Sequence, residues 1–490
     1  MLRTPQNTAR SVRAAVVHLT RSKFPKTSEL RRRQIFLVVK ESDSLPENPQ
    51  LPINLSDPPR SRATGYKSRH VAKLSNFPLL GRSAFMSRIQ QVATQAPPDA
   101  KFPRLLAFLQ FWKWLLPYLR DFIHQDAPYQ TYPNGKSGIF SVAAPPGDGP
   151  MRIAVAADWG TGTLEAETVA ENMKASSPHY TLHLGDVYYM GEAVEIAENC
   201  LGVATKNYTG VLWPTCSLGS FALMGNHEMY SGGQGYFTTF LTTLGLLAPD
   251  KTVRDPQSAS YFCLEAEHWL VLGLDTGYHS GGVPAFTAIP GLNSIPFFNV
   301  DARFDDKMLA WLKQTMDILQ AKSSTKKPIL LLTHHQPMSS FEHAFKKPVK
   351  QLAELGFLNG QEFVWLYGHE HRLTVYEKQT LGNGLTGYPR CIGHGGMPVE
   401  ITKLSQPDSK IRFYDPRQHP IDQEDPNTKV GYNGHIVLLF DGTKLTIEYR
   451  DILNNNLLLT ETFTPNGAGG LEYLPVKPAD SALLSGQQIS

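Results

Sequence analysis

From Met151 onward the chain is built of short apolar runs separated by polar or helix-patterned stretches. The runs are RIAVAA (152–157), TLHL (181–184), FALM (221–224), HWLVLGL (268–274), PILLLT (328–333) and FVWLY (363–367). Continuous apolar runs of this length predict strands covered on both faces, and the stretches 164–176 and 305–321 between them predict helices. Downstream, GHIVLLF (434–440) and LTIEYRD (445–451) flank DGTK and predict a β-hairpin. No internal repeat is present. Residues 1–100 are rich in Pro, Ser and Arg and read as mostly irregular. Residues 101–125 are crowded with Leu and aromatics and read as a helix, kinked at Pro117 and interrupted by Arg104, Lys113 and Arg120. Two readings of this helix stand: packed on the main domain, or lying in a membrane interface. The expected division is a basic, largely irregular extension over 1–100, an aromatic-rich helix and linker over 101–150, an α/β domain over 151–452 and a C-terminal tail over 453–490.

Charge sharpens this division. The net charge of +3 hides an asymmetry: residues 1–100 hold 17 Lys and Arg against 6 Asp and Glu, and the rest hold 30 against 38. The basic surplus is an N-terminal property. It suits electrostatic contact with an anionic surface, so peripheral membrane contact through 1–125 is expected and specific nucleic-acid binding is not. Residues 1–28 contain no acid, which fits an organellar transit peptide or a basic arm. AAVVHL (14–19) is too short for a signal-peptide core, so an intracellular location is expected. The four cysteines form no C-x-x-C pair, which excludes a zinc ribbon or disulfide scaffold and leaves Cys200–Cys216 as the one bridge to consider.

Chemistry-bearing residues stand at the ends of five runs. AVAA leads to Asp158, TLHL to GDVYYMG (185–191), FALM to GNHEMY (225–230), ILLLT to HHQPM (334–338) and FVWLY to GHEHR (368–372). The carboxyl ends of strands in an α/β sheet form the usual site crevice. An acid at the end of a buried strand is costly unless it is paired or holds a metal. In a strand-like segment i and i+2 share a face, so His369 and His371 are both able to point inward. Together these residues predict a binuclear metal site. The GTG at 160–162 makes a poor dinucleotide loop, because Glu165 stands where a third glycine would fall. His183, inside its strand, reads as a core histidine, and Asp275 as a loop brace.

The order D-x-G, G-D-x-x-Y, G-N-H-E, H-x-P, G-H-x-H resembles the calcineurin-like metallophosphoesterases over roughly residues 151–452. Within them it is similar to the purple acid phosphatase branch. That branch carries D-x-G where most of the superfamily has D-x-H, and a Tyr in the second motif. Here those are Asp158-Trp159-Gly160 and Gly185-Asp186-Val187-Tyr188-Tyr189. The resemblance implies an α/β (α+β sandwich) fold, a four-layer α/β/β/α arrangement with two mixed β-sheets. It implies that Asp158, Tyr189 and His371 hold Fe(III), that Asn226, His335 and His369 hold Fe(II), Zn(II) or Mn(II), and that Asp186 bridges the two. Ligand softness agrees with this split. Gly160 would then leave space for the Tyr189 ring.

Either His334 or His335 fits the fourth motif. The Pro two residues on favours His335, which leaves His334 to the substrate or to the opposite face. His227 is the candidate for phosphate contact and leaving-group protonation. Glu228 is expected to orient a ligand, and His394 of CIGHGG to face the cleft. The implied activity is acid-phosphatase-like hydrolysis of phosphorylated small molecules, with a metal-bound hydroxide attacking phosphorus in line. Two alternatives stay open: a phosphodiesterase or pyrophosphatase on nucleotides or head groups, with specificity set by loops such as 277–300, and a non-catalytic metal-binding scaffold with a basic arm.

Overall fold

Five strands carry the motifs: β1 (Met151–Ala156), β2 (Tyr180–His183), β3 (Gly219–Ala222), β4 (Ile329–Thr333) and β5 (Phe363–Tyr367). They come from a computed structural model that describes residues 126–204, 210–214, 216–281, 302–323, 326–401, 408–420 and 429–476. These residues lie in the unit Gly65–Ser490; a second unit, Met1–Thr64, falls wholly outside them. The expectations for the basic arm, the 101–125 helix, the loop 282–300 and the last residues from 477 also lie outside the described residues.

β1, β2 and β3 are parallel neighbours in one nine-stranded sheet. The predicted hairpin, Gly434–Asp441 and Lys444–Asp451, extends this sheet from the other side of β1, and Leu457–Pro465 and Leu471–Val476 follow it outward. β4 and β5 are parallel neighbours in a second nine-stranded sheet, flanked by Leu270–Gly273 and Leu385–Ile392.

Alternation along these strands builds the layers. Ile153, Val155, Leu182 and Phe221 of the first sheet share one apolar core with Leu330, Leu332, Val364 and Leu366 of the second. The intervening residues face outward. Ala154, Ala156 and Ala222 pack under the helix Leu164–Ala175 through Val169 and Met173. Leu331 and Trp365 pack under the helices Asp306–Lys322 and Lys346–Leu355 through Met308, Leu312, Val349 and Leu352. Both faces of each sheet are thus covered, which is why the strands read as unbroken apolar runs. The result is the four-layer α/β/β/α arrangement with two mixed sheets. The first helix is capped by Thr163, whose hydroxyl accepts from the Ala166 N–H at 3.2 Å. The sheets are also pinned by a buried ion pair. Arg390 donates twice to Glu461, at 2.7 Å each, and Tyr449 and Tyr473 complete the carboxylate's hydrogen bonds.

Three expectations are corrected. Residues from 453 on do not form a tail throughout: 457–465 and 471–476 are strands, because Leu459, Glu461 and Phe463 alternate inward onto the hairpin. Within the expected linker, Ile139–Ser141 pairs with Phe262–Glu265 at a sheet edge. All four cysteines are free, and the Cys216 thiol contacts the Gly219 carbonyl at 3.0 Å. Among the described residues no helix is long and apolar enough to cross a membrane.

His394 turns into the interior beside His435, and no ring nitrogen of either residue has a hydrogen-bond partner. The His394 carbonyl accepts from the Gly434 N–H at 2.8 Å and from the Asn433 amide at 3.1 Å. Burial strips the charge from both rings and pushes their pKa down, to about 4 for His394 and about 3 for His435. An unfolded imidazole takes its proton near pH 6.5. Folded stability is therefore fully present above about pH 6.5 and falls as the pH drops toward about 4, by a few kcal/mol per ring at most. Unfolding followed at pH 7.5 and pH 5 is expected to show a lower midpoint at pH 5. Much of that difference is expected to vanish in a His394→Gln, His435→Gln variant, and an unchanged difference would refute the assignment.

Candidate metal centre

β1, β2 and β3 end level: Ala156 pairs with His183, and His183 with Ala222. In the second sheet Thr333 pairs with Tyr367. The residues that follow all five strands therefore emerge at one end, and the packed sheets bring both sets together over the seam. Close approach needs glycine here. A side chain on Gly225 would collide with the Asp186 carboxylate, and one on Gly368 with that of Asp158. Asp158, Asp186 and His369 have φ of 56°, 71° and 68°, a left-handed conformation that non-glycine residues adopt sparingly and that concentrates at functional sites.

One half of the cluster is Asp158, Asp186 and His371, whose candidate ligand atoms lie within 4.8 Å of one another. The Tyr188 hydroxyl joins them. It lies 3.0 Å from Asp158 Oδ1, 3.1 Å from Asp186 Oδ2 and 3.0 Å from His371 Nε2. The expectation of Tyr189 is corrected here. Val187 bridges to Gly160 as in a short strand, so Asp186 and Tyr188, two apart, share the inward face. The Tyr189 ring lies beside those of Tyr188 and His227, with centroids 5.9 and 6.4 Å away, and its backbone N–H and carbonyl meet Glu195 and His227. Gly160 is corrected with it: a Cβ there would stand 2.9 Å from the Asp186 carbonyl and the Val187 Cα, so Gly160 admits a backbone and not a phenol ring.

The other half is His334, His335 and His369, again within 4.8 Å. Asn226 Oδ1 lies 3.1 Å from His334 Nε2 and 2.9 Å from His369 Nδ1, and its amide nitrogen donates to the Tyr230 hydroxyl at 2.7 Å. His334 Nδ1 donates to the Leu184 carbonyl at 2.8 Å, which leaves Nε2 facing Asp186 Oδ1 at 3.3 Å. His334, the less favoured of the two candidate ligands and otherwise expected at the substrate or on the opposite face, thus sits at the centre. His335 stands beside it, with Nδ1 3.0 Å from the Thr276 hydroxyl and a buried Nε2 that has no hydrogen-bond partner. Asp186 links the halves, Oδ2 toward Tyr188 and Oδ1 toward His334. The His227 N–H donates to Asp186 Oδ1 at 3.1 Å, and its ring lies at the partly open edge, with Nδ1 donating to the Tyr189 carbonyl at 2.7 Å. Glu228 is fully buried and accepts from the Gly225 and Asp186 N–H groups at 3.0 and 3.3 Å, which orients the Asp186 segment.

Burial disfavours charge throughout. At Asp186 the imidazoles of His334 and His227 outweigh it and hold the carboxyl well below its ordinary range. At His334 the Asp186 charge outweighs burial and pushes the pKa up to about 10. His369, desolvated and repelled by His334, falls to about 3. Burial and then the Asp186 charge push Glu228 up to about 8. A cluster that holds Asp186 ionised and His335 and His369 neutral is satisfied by a cation. The orphaned His335 Nε2, and an Asn226 oxygen shared by two imidazoles, fit metal ligation in the same way.

Sequence reasoning missed Tyr188, Tyr230, Thr276, Glu195 and Asn199. Only Tyr188 left a signal, its i+2 spacing from Asp186.

Residues 151–373 match the family model described as calcineurin-like phosphoesterase. No curated protein matches the chain. Among solved structures, it is similar to a purple acid phosphatase from yellow lupin (Lupinus luteus) seeds at 12% identity and a TM-score of 0.41. That match covers 70% of this chain and 56% of the lupin protein, so the chain spans little more than half of that relative's length. It is also similar to GAP50, the anchor in the inner membrane complex of Plasmodium, at 11% identity and TM-score 0.39, over 68% of this chain and 91% of that one. PhoD follows at 11% identity and TM-score 0.38, over 69% of this chain and 74% of that one.

Proposed function

We propose, from the premise that residues 151–373 form a calcineurin-like phosphoesterase domain, that this chain hydrolyses phosphate monoesters of small molecules at a two-metal centre. One observation carries the reading: two groups of ligand-type side chains, each within 4.8 Å, share Asp186 as their link. Asp158, Tyr188 and His371 would hold one metal. Asn226, His334 and His369 would hold the second, with His335 as a further donor, and Asp186 would serve both. The oxygen-rich first set suits Fe(III), and the imidazole and amide set suits Fe(II), Zn(II) or Mn(II). Two metals, when bound, supply an activated water and a clamp for the phosphoryl group.

The chain's own residues do the rest. His227 keeps Nδ1–H on the Tyr189 carbonyl and so presents Nε2 to a phosphate oxygen or leaving group at the open edge. Buried Glu228 and Tyr230 fix the Asp186 and Asn226 groups before substrate arrives, so positioning needs no rearrangement. The D-x-G motif together with a phenol at the cluster supports the purple acid phosphatase reading over other branches.

The test is a substrate panel on protein loaded with Fe, Zn or Mn. 4-Nitrophenyl phosphate is expected to turn over faster than bis(4-nitrophenyl) phosphate or diphosphate, and EDTA treatment is expected to remove the activity. Faster diester cleavage would move the assignment to a phosphodiesterase. No turnover with any metal would sink it.

A further inference from the structure

Two side chains of the helix Ala193–Asn199 grip the backbone of the segment that carries Tyr188. Glu195 and Asn199, four residues apart, lie on one face of the helix. Glu195 Oε1 accepts from the Tyr189 N–H at 2.7 Å, and Oε2 from the Met190 N–H at 2.8 Å and the Glu192 N–H at 3.2 Å. Asn199 donates to the Tyr188 carbonyl at 2.9 Å and to the Gly160 carbonyl at 3.2 Å.

We propose that Glu195 is a positioning residue for His227, acting through the peptide group between Tyr189 and Met190. This rests on the role given to His227 under the proposed function. The Met190 N–H of that planar group donates to Glu195, and its Tyr189 carbonyl accepts from His227 Nδ1. The two ends of a trans peptide unit point in opposite directions, so a carboxylate on one side fixes an imidazole on the other. Hydrogen bonds in such a chain also polarise one another, and the anion at one end strengthens the carbonyl as an acceptor at the other. The consequence is a fixed tautomer. With its Nδ1 proton held by the Tyr189 carbonyl, His227 has Nε2 alone to turn toward the leaving oxygen. The Glu195 contact to Tyr189 N–H and the Asn199 contact to Tyr188 carbonyl keep the residues on either side from turning with the peptide.

The test uses the full chain, loaded with metal, in Glu195→Gln and Glu195→Ala variants. Leaving-group protonation matters most when the leaving group is a poor one. Hydrolysis of an alkyl phosphate is expected to fall by about 10–100-fold in the Ala variant and less in the Gln variant, which keeps one acceptor oxygen, while 4-nitrophenyl phosphate falls only a few-fold. In a His227→Ala background the Glu195→Ala change is expected to add nothing to the alkyl phosphate deficit. An equal fall with both substrates would overturn the inference. Histidine ¹⁵N spectra give a readout independent of turnover, with the His227 signal assigned by its loss in the His227→Ala variant. The Nδ1–H form is expected in the wild type and a mixture of both tautomers in Glu195→Gln; an unchanged tautomer would overturn the inference even if the wild type had no activity. Wild-type inactivity with an altered tautomer would count against the phosphatase reading alone.

Discussion

An Asp186→Asn variant is expected to lose at least about a thousandfold in 4-nitrophenyl phosphate turnover and to bind fewer metal ions per chain. The Asp186 side chain reaches both halves of the cluster, with Oδ2 3.1 Å from the Tyr188 hydroxyl and Oδ1 3.3 Å from His334 Nε2. Asn has the same shape, so the fold around it should survive. What goes is the charge that holds His334 against burial, and the second oxygen able to serve a metal. The His227 N–H and the buried Glu228 both converge on this residue and its backbone, so little else compensates. Metal analysis and steady-state rates on the same preparation check it. Turnover within about tenfold of wild type, with metal content unchanged, would remove Asp186 from the bridging position.

The second large effect separates two neighbouring tyrosines. Iron-loaded wild-type protein is expected to be coloured, because a phenolate bound to Fe(III) absorbs visible light. Tyr188→Phe is expected to abolish that band, and Tyr189→Phe to leave it. Burial, then the charges of Asp158 and Asp186, push the Tyr188 hydroxyl well above its ordinary pKa, so a strongly charged cation is needed to displace its proton. Tyr189 contributes its N–H to Glu195 and its carbonyl to His227, and Phe keeps both. Absorption spectra of the three proteins decide the matter. If colour survives Tyr188→Phe and disappears with Tyr189→Phe, the assignment of the phenol reverses.

The contrast between these tyrosines marks where sequence reasoning reached its limit. The strands were legible because both faces of each are covered, and their apolar runs stop where the site begins. The ligand types were legible because Asp, Asn and His stand directly after those runs, at one end of both sheets. Which of two adjacent residues turns inward was not. That choice depends on left-handed backbone at Asp186 and on the pairing of Gly160 with Val187, and neither leaves a period in the sequence. The same holds for His334 against His335, set by the Leu184 carbonyl and the Thr276 hydroxyl from distant segments. Residues 457–476 were misread because the Gly-rich turn at 467–470 suggested a tail, while Leu459, Glu461 and Phe463 alternate as a half-buried strand should.

The pairing of β1 with Gly434–Asp441 has a consequence for how the protein is made. On the ribosome β1 emerges early, and its partner emerges only after the last histidine of the cluster has been synthesised. Until then the nascent chain carries an apolar strand with an open edge, a known invitation to mispairing. A chain cut after residue 373 would retain every proposed ligand and still leave that edge bare. It is therefore expected to stay insoluble when produced alone, however complete its metal-binding residues.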